Sequence, residues 1–543
     1  MREIAVQHHQ AGRFAEAVAA CQRALALQPN DAATLQTLGN ALMAMQRVDA
    51  AIEAFRQGLF AQPNSAGLHL NLASALRTAG RLEEATVSYR SAILLRPERA
   101  QSHSDLGHVL CLLGRHEEAV QSYRQALAFD PDDANSLIGR ASALLALKEN
   151  EAACECFQRA LRISPDDTTA LYGLGCALLA RFRHEEAVPY LERAAALRPG
   201  HSDTRAALGN ALLGANRNAE ALLNYRAAAE NNEDVPGLQL NQALALLGIG
   251  AWSEGWQRFE ARFSVPDVFP ALDLPKDVRF WRGEDIAGRT ILLQAEQGFG
   301  DTIHCVRYAP LVAERGAKVV LRVQPELAKL AAEVRGVDTV LTSYDPAPAM
   351  DLICPLMSLP LAFGTEIATI PADVPYLKTP SPYRLLWQTL LGDRKRPRIG
   401  VAWRGQQHLP HRSMSLLHLA PLLQCADYEF HGLQKEMTEA DREWLAATPL
   451  LIDHSAELRD FADTAAIAEE MDLVISIDTS VAHLAGALAR PLWVMLPSSG
   501  DFRWLLDRDD SPWYPTARLF RQKRPGDWDQ VVADVVRALL RKA

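Results

Sequence analysis

The segment Thr290-Ile-Leu-Leu-Gln-Ala-Glu-Gln-Gly-Phe-Gly-Asp-Thr-Ile-His304 joins an apolar run to a glycine turn and a helical pattern. Residues 290–293 predict a buried parallel strand, and Gly298 and Gly300 predict a tight turn before a helix. With a strand, a glycine turn and a helix in this order, an open α/β sheet binds an anion, because the first N–H groups of the helix have no partner within it. The segment therefore predicts an α/β domain with a ligand site at this turn.

Two titratable side chains fall in the first turn of the predicted helix. Asp301 and His304 are three residues apart, so both lie on one face of the helix. A carboxylate and an imidazole that face a cleft are candidates for a general base. For Asp301 the sequence leaves a second interpretation open, in which the carboxylate only caps the N-terminus of the helix.

The second half of the chain alternates short apolar runs with helical patterns, which predicts parallel, doubly wound α/β sheets. Strands are predicted at 318–323, 339–342, 351–354, 398–403, 429–434, 472–477 and 491–496, and helices at 325–334, 461–471, 481–488 and 528–540. The proline-rich segment 371–382 divides this half into two lobes. Ligands bind such folds at the carboxyl ends of the strands. Polar candidates at the later strand ends and turns are Arg404, Lys435, Asp478, Thr479 and His483.

Residues 1 to about 233 repeat with a period of 34. The period carries a proline (29, 63, 97, 131, 165, 199), a glycine or alanine (39, 73, 107, 141, 175, 209) and a large apolar or aromatic residue (55, 89, 123, 157, 191, 225). This pattern is typical of the tetratricopeptide repeat, which has two helices per repeat. The small residues let paired helices approach, and the large residue fills the gap between neighbours. With a degenerate unit at 238–263, we count about seven repeats.

Four polar side chains fall in the first helices of the repeats, which usually line the extended concave face of such an array. They are Asn40, Asn71, His108 and Asn210. This face suits a peptide or protein ligand, and the four side chains are candidates to bind the backbone of an acceptor protein. The alternative is that they are ordinary solvated polar positions.

These patterns predict an α-helical region followed by α/β lobes. A tetratricopeptide α-solenoid covers residues 1–263, a linker with three prolines covers 264–288, and two Rossmann-like lobes cover 289–385 and 397–543. The second lobe ends in an amphipathic helix.

Composition argues against several classes of protein. The 543 residues are too many for one core, and a net charge of −10 with a pI near 5.9 disfavours a nucleic-acid or anionic-membrane binder. No apolar run reaches the roughly 18 residues of a membrane span, and the N-terminus lacks a signal-peptide core. Eight cysteines without a CxxC pair predict reduced thiols in a cytoplasmic protein.

Two motifs resemble those of bacterial glycosyltransferases related to the lipopolysaccharide heptosyltransferases. Gly300-Asp-Thr-Ile-His304 is similar to the Gly-Asp-x-x-His opening of that family. Asp478-Thr-Ser-Val-Ala-His-Leu-Ala485, followed by Pro491, is similar to its Asp-[Ser/Thr]-x-x-x-His-x-Ala segment, with Ser480 where glycine is common. The resemblance covers residues 289–543 and implies the GT-B fold of two Rossmann-like lobes.

The resemblance implies roles for the candidate residues. Asp301 is expected to be the base that activates the acceptor hydroxyl, with His304 as the second choice. The donor nucleotide sugar is expected to bind at Gly298, Gly300, Arg404, Lys435, Asp478, Thr479, Ser480 and His483. The family's phosphate-binding lysine has no counterpart here, and the candidates to replace it are Arg404, His408 and Arg412. GT-B enzymes usually need no catalytic metal, so neither a metal nor another cofactor is expected.

The whole chain resembles bacterial tetratricopeptide-repeat proteins that carry a glycosyltransferase domain, some of which modify flagellin. The resemblance implies transfer of a hexose, heptose or nonulosonate from a nucleotide sugar to a Ser/Thr hydroxyl of an acceptor protein held by the repeats. Flagellin is a candidate acceptor. Two alternatives are a repeat scaffold with an inactive glycosyltransferase-like half, and an enzyme that glycosylates lipopolysaccharide or another glycan.

The remaining motifs have structural as well as functional interpretations. In segment 502–515, Arg503, Trp504, Trp513 and Tyr514 are candidates to stack on a base or a sugar, or to pack the terminal helix across both lobes. The Asp507/Asp509 and Asp527/Asp529 pairs are predicted to be surface or capping acids. His408 and His411 are not expected to bind zinc.

Overall fold

The computed structural model describes residues 1–230, 235–265, 279–296, 298–346, 348–405 and 412–541. The three linker prolines and the His408/His411 pair lie outside these ranges. The chain divides into two compact units, Met1–Leu208 and Gly209–Ala543. The domain bounds given above stay a prediction.

The first unit consists of consecutive helices joined by short turns. They are α1 (Arg2–Gln10), α2 (Phe14–Leu27), α3 (Ala32–Ala44), α4 (Val48–Ala61), α5 (Ala66–Thr78), α6 (Leu82–Leu95), α7 (Ala100–Leu112), α8 (His116–Phe129), α9 (Ala134–Ala146), α10 (Asn150–Ile163), α11 (Thr168–Leu179) and α12 (His184–Leu197). Helix α13 (Ser202–Gly214) crosses the boundary between the units. The two helices per 34 residues predicted from the sequence are confirmed.

Small residues and large apolar residues meet where the 34-residue period predicts. Phe55 is fully buried and lies over Gly39, where an added Cβ would sit 2.3 Å from the Phe55 ring. A second kind of contact joins neighbouring repeats, where a Cβ built on Gly173 would lie 2.3 Å from the Phe157 ring of the preceding repeat. Glycine is therefore needed at these positions because a neighbouring ring occupies the space of a side chain.

Overpacking at such a contact is expected to destabilise the first unit. The change Gly173→Ala should lower its free energy of unfolding by about 1–3 kcal/mol, because the new methyl group must displace the Phe157 ring. Urea denaturation followed by circular dichroism measures the loss. Gly200→Ala is the control, since a Cβ there meets nothing within 4 Å. Equal stability of the two variants would contradict the account of this contact.

The second unit contains the remaining helices and the strands. Its helices are α14 (Asn218–Ala229), α15 (Pro236–Gly248), α16 (Trp252–Phe259), α17 (Phe299–Cys305), α18 (Ala309–Glu314), α19 (Ala328–Ala331), α20 (Leu359–Ala362), α21 (Ser381–Leu391), α22 (Ala420–Leu423), α23 (Glu439–Ala447), α24 (Phe461–Glu469), α25 (Ser480–Ala487) and α26 (Trp528–Leu540). Short 3-10 segments lie at Glu260–Ser264, Val306–Tyr308, Pro325–Leu327, Leu356–Ser358, Ile367–Thr369 and Leu416–Leu419.

Within the described residues, the strands form two five-stranded parallel sheets, as the alternating pattern predicts. The strands are β1 (Arg279–Phe280), β2 (Thr290–Gln294), β3 (Lys318–Arg322), β4 (Thr339–Leu341), β5 (Leu352–Pro355), β6 (Arg398–Ala402), β7 (Glu429–Gly432), β8 (Leu473–Ile477), β9 (Leu492–Leu496) and β10 (Ala517–Arg521). Their orders are β1-β5-β2-β3-β4 and β10-β9-β8-β6-β7. In register, Leu292 pairs with Val320 and Ile475 with Trp493.

Two edge strands were not predicted from the sequence. Strand β1 lies within the segment predicted as a linker, and it pairs with β5 through two residues. Strand β10 follows the aromatic segment 502–515 and pairs with β9. Helix α26 packs beside β10 and α22, on the second sheet. Asp527 caps α26 by accepting from the Gln530 N–H, as predicted for a capping acid.

A buried ion-pair network joins the 3-10 segment after the helix pair α15–α16 to the first sheet. The Arg262 guanidinium is fully buried and donates to both carboxylate oxygens of Glu296, at 2.8 and 3.0 Å. It also donates to Glu260 at 2.7 Å. Glu296 follows the end of β2 and accepts a further hydrogen bond from the Met357 N–H. The degenerate repeat predicted at 238–263 is thus fixed to the strand that precedes the glycine turn.

No helix within the described ranges combines the length and the apolarity that crossing a membrane requires. The eight cysteines carry free thiols.

Candidate functional site

Helices α17 and α25 pack against each other beyond the carboxyl ends of β2 and β8. The two motifs recognised in the sequence therefore meet, because one forms the start of α17 and the other the start of α25. They approach closely at Gly300, where an added Cβ would lie 2.9 Å from Cδ2 of His483.

The structure corrects the reason for the glycines in the first motif. Gly298 has φ −71° and ψ 140°, which any residue adopts, and neither Gly298 nor Gly300 has a positive φ. The predicted tight turn thus needs no left-handed glycine. Gly300 is needed because His483 lies against its Cα.

The change Gly300→Ala is expected to lower the free energy of unfolding of the second unit by about 1–3 kcal/mol, because α17 must move away from α25. Thermal unfolding followed by tryptophan fluorescence measures it, since Trp504 stacks on His483 with ring centroids 5.3 Å apart. Gly237→Ala serves as the control, because a Cβ there meets nothing within 4 Å. Unchanged melting of Gly300→Ala would show that the close approach is not required.

Five charged side chains from both motifs and from later loops form one cluster. Arg503 donates to Asp301 at 2.5 Å and to Asp501 at 3.0 Å. Arg412 donates to Asp478 at 3.1 Å and lies 3.7 Å from Asp501. Asp478 also accepts from the Trp504 indole at 2.8 Å. The cluster joins the glycine turn after the first sheet to the motif after the second.

Burial and ion pairing set the charges of this cluster. Burial raises the pKa of Asp478, although Arg412 opposes this. Burial also works against ionisation of Asp501, but Arg503 and Arg412 outweigh it and lower the pKa of that carboxyl. Asp301 is the most accessible acid with 36% of its side chain exposed, against 7% for Asp478. The structure shows no side-chain cap on α17, so the capping interpretation of Asp301 is wrong.

Two histidines beside the cluster share one tyrosine hydroxyl. The Tyr514 hydroxyl lies 3.0 Å from Nδ1 of His304 and 2.9 Å from Nδ1 of His483. Burial, reinforced by Arg307, lowers the pKa of His304 well below its usual value, and burial with Arg503 lowers the pKa of His483 to about 3. Both imidazoles are neutral at pH 7. One hydroxyl proton serves at most one imidazole, so at least one histidine carries its own proton on Nδ1.

His304 is far less accessible than its spacing from Asp301 suggests. Its side chain is about 1% exposed, and its ring lies 4.4 Å from the Trp513 ring. The other ring nitrogen, Nε2, is buried without a hydrogen-bond partner among the described residues. A molecule from solvent thus reaches Asp301 more readily than His304.

Other predicted donor-site residues have separate partners. Lys435 is exposed and donates to the Arg459 carbonyl at 2.7 Å, and Arg404 lies 3.5 Å from Asp441. The described contacts of these two cations do not include the Asp301 and Asp478 cluster. Thr479 and Ser480, by contrast, begin α25 beside Asp478, and the Thr479 hydroxyl lies 3.0 Å from that of Ser476.

The three asparagines predicted to bind an acceptor take part in two similar side-chain pairs, one of which includes Asn241. The Asn71 amide donates to Asn40 at 2.9 Å in the first unit. In the second unit, Asn241 donates to Asn210 at 3.0 Å, and Tyr225 donates to the same oxygen at 2.8 Å. His108 is exposed on α7. The role of these residues in binding an acceptor stays a prediction.

The aromatic segment 502–515 has neither of the two predicted roles. Trp504, Trp513 and Tyr514 are at most 1% exposed, so their rings are not accessible to a base or a sugar. Trp513 stacks on Trp252 of α16, and Trp504 stacks on His483. The segment therefore packs the helix pair α15–α16 and the two motifs together. Helix α26 instead packs on the second sheet, beside β10 and α22.

Sequence reasoning missed Asp501 and Arg307, and it considered Arg503 only as a residue that stacks or packs. Arg307 is buried and donates to the carbonyls of His304 and Trp513 at 2.8 and 2.9 Å. A lone arginine or aspartate in a loop carries no periodic pattern, so only the tertiary structure identifies these residues. For Arg503, its place beside Trp504 in the aromatic segment 502–515 was the available sign that it belongs to the site.

Comparison with known proteins identifies the helical region. Models of the tetratricopeptide repeat match residues 8–76, 66–99, 107–148 and 132–200. The chain carries a tetratricopeptide-repeat array. The prediction made from the 34-residue period is confirmed for this region, and such repeats bind protein partners.

Similar proteins cover parts of the chain. Protein FlbA of Caulobacter vibrioides is 28% identical over 339 residues, which are 56% of this chain and 55% of FlbA. The chain thus spans about half the length of this curated relative. Among solved structures, YrrB, described as a tetratricopeptide-repeat protein with an unusual peptide-binding site, is 23% identical over 34% of this chain and 94% of its own, with a TM-score of 0.31. A tetratricopeptide-repeat protein from Parabacteroides merdae is 16% identical over 45% and 96%, with a TM-score of 0.35.

Proposed function

We propose that this chain is a glycosyltransferase of the GT-B type, which moves a sugar from a nucleotide sugar to a Ser/Thr hydroxyl of an acceptor protein. The main support is the meeting of the two motifs: Asp301 on α17 and Asp478 before α25 are both ion-paired in one cluster beyond the carboxyl ends of two parallel sheets. Ligands of α/β folds bind at such ends. The motifs themselves resemble those of heptosyltransferase-like enzymes.

In this proposal Asp301 is the general base. Its side chain is 36% exposed, whereas His304 is buried, so an incoming hydroxyl reaches Asp301. Arg503 holds one carboxylate oxygen, which fixes the orientation of the side chain. The Tyr514 hydroxyl contacts His304 of α17 and His483 of α25, and so holds the two helices together. A base placed in this way accelerates proton transfer by about 10²–10⁴-fold.

The donor phosphates bind at the start of α25 and at Arg412. Helix α25 begins directly after Asp478 and Thr479, and helix N-termini favour anions. Arg412 is 32% exposed and Arg503 only 12%, so Arg412 is the cation that a phosphate reaches first. Arg412 thus takes the place of the phosphate-binding lysine of the heptosyltransferases. The leaving nucleotide is stabilised by charges of the chain itself.

The repeat array holds the acceptor protein, with flagellin as the candidate. The proposal also places the reaction in the cytoplasm, where nucleotide sugars are made.

Nucleotide release tests the proposal. The purified chain is incubated with flagellin and, separately, with each of a panel of UDP-, GDP-, ADP- and CMP-sugars, and free nucleotide is measured. We expect one donor to release nucleotide faster with flagellin than without it, and we expect Arg412→Gln to raise the KM for that donor. Failure of every donor to be turned over or bound would reject the enzymatic proposal in favour of a repeat scaffold.

A further inference from the structure

Two cavities in the second unit adjoin and form one groove, called here the repeat-loop groove. One has a volume of about 420 Å³ and the other about 130 Å³. Asn218, Gly248, Leu505 and Leu506 line both. The groove therefore runs between the helix pair α14–α15 and the loop that contains Leu505 and Leu506.

The side-chain amide of Asn218 in this groove lacks a partner. Asn218 is 8% exposed, and none of the hydrogen bonds among the described residues involves its side chain. Gly248 makes room for it, since an added Cβ there would lie 2.3 Å from Nδ2 of Asn218. The remaining exposure of this side chain is in the groove, so its amide suits a ligand that both donates and accepts hydrogen bonds. A peptide unit, with one N–H and one C=O, is such a ligand.

The rest of the lining favours a peptide over a nucleotide. Ile249 and Ile367 are 46% and 41% exposed and offer apolar contacts in the larger cavity. The arginine that lines the larger cavity already has an acidic partner, since Arg217 is paired with Glu220. A neutral backbone with apolar side chains fits this lining better than a diphosphate, which needs uncompensated positive charge.

The loop that forms one wall is fixed in position. The Asn216 amide donates to the Ser498 carbonyl at 2.6 Å and accepts from the Gly500 N–H at 2.6 Å. Leu505 and Asp507 both have positive φ, at 52° and 56°, a conformation that non-glycine residues rarely adopt. Asn216, in the turn between α13 and α14, thus anchors this loop, so the wall is in place before a ligand binds.

We propose that the repeat-loop groove binds an extended peptide segment of the acceptor protein. Its smaller cavity ends at Arg412 and Asp501, and Asp501 shares Arg503 with Asp301. A peptide in the groove would therefore lead toward the proposed base. The identity of the ligand as an acceptor rests on the proposed function, whereas the peptide site itself does not.

A displayed library of random 12-residue peptides, panned against the immobilised full chain, tests this site without donor or catalysis. Selected peptides are synthesised with a fluorophore, and their Kd values are measured by fluorescence anisotropy. We expect Asn218→Ala to weaken binding about tenfold, the effect of losing two hydrogen bonds. Ile249→Arg should weaken it similarly, and its exposed position leaves folding intact.

Two matched controls define the site. Asn150 begins α10 at the repeat position that corresponds to Asn218, and Ile163 is 41% exposed, so Asn150→Ala and Ile163→Arg should bind like the unaltered chain. The site is rejected if no peptide is selected, or if Asn218→Ala and Ile249→Arg bind as tightly as the controls. Peptide binding without any sugar transfer would support the groove as a peptide site and reject the proposed function. Sugar transfer that Ile249→Arg leaves unchanged would support the proposed function and reject the groove as the acceptor site.

Discussion

Replacing Asp301 with Asn is expected to lower the rate of sugar transfer by about 10²–10⁴-fold, because the amide no longer accepts the proton of the acceptor hydroxyl. The amide oxygen can still accept from Arg503, which contacts Asp301 at 2.5 Å. Donor affinity should therefore change little. Single-turnover transfer measures the rate, and the protection of the chain against thermal unfolding by the donor measures its affinity.

The control for Asp301→Asn is Asp529→Asn. Asp529 also lies in the first turn of a helix, α26, but it is exposed and has no place in the cluster. Its replacement should leave the rate within a factor of about two, which corresponds to about 0.4 kcal/mol. A transfer rate of Asp301→Asn within tenfold of the unaltered chain would show that Asp301 is not the base.

Replacing Arg262 with Met is expected to lower the free energy of unfolding of the second unit by about 3–5 kcal/mol. The reason is that Glu296, with 3% of its side chain exposed, would remain as a buried carboxylate without its cation. The cost of an uncompensated buried charge exceeds the gain from the added apolar surface. Urea denaturation followed by tryptophan fluorescence reports it, because Trp252 and Trp256 are buried in α16 beside this network.

Arg258→Met is the matched control. Arg258 pairs with Glu254 at 2.8 Å, but the two side chains are 37% and 41% exposed. An exposed pair contributes about 0–1 kcal/mol, so this variant should unfold almost like the unaltered chain. If Arg262→Met cost no more than Arg258→Met, the network would not be what fixes the last helix pair to the first sheet.

The elements of both units could be predicted because their patterns are local. The 34-residue period states which residues pack, and Gly39 does lie under Phe55. The run 472–477 predicted a buried parallel strand, and β8 occupies Leu473–Ile477 with every residue buried. Strand β1 escaped prediction because two residues carry no period, and its formation depends on pairing with β5.

The candidate site could be predicted only in part, because its geometry depends on distant partners. From the motifs, Asp301 and Asp478 were expected to lie in one site, and both belong to one ion-pair cluster. Arg503, which holds Asp301, lies 202 residues away in the chain and carries no such motif. Helical spacing placed Asp301 and His304 on one face. It could not show that Trp513 and Tyr514 cover His304 and leave Asp301 exposed. The position of Lys435 at a strand end did not predict its contacts, since its ammonium group donates to the Arg459 carbonyl and not to a residue of the cluster.

Intact-mass spectrometry of flagellin tests the central claim most directly. Flagellin is co-expressed with this chain, with its Asp301→Ala variant or with neither, in a host that makes the donor sugar nucleotides, and tandem spectra locate any added group. The account predicts a mass increase of one or more sugars on Ser or Thr with the unaltered chain, and none with Asp301→Ala. Flagellin that co-purifies with the repeats yet keeps its unmodified mass would contradict sugar transfer and leave a protein-binding scaffold.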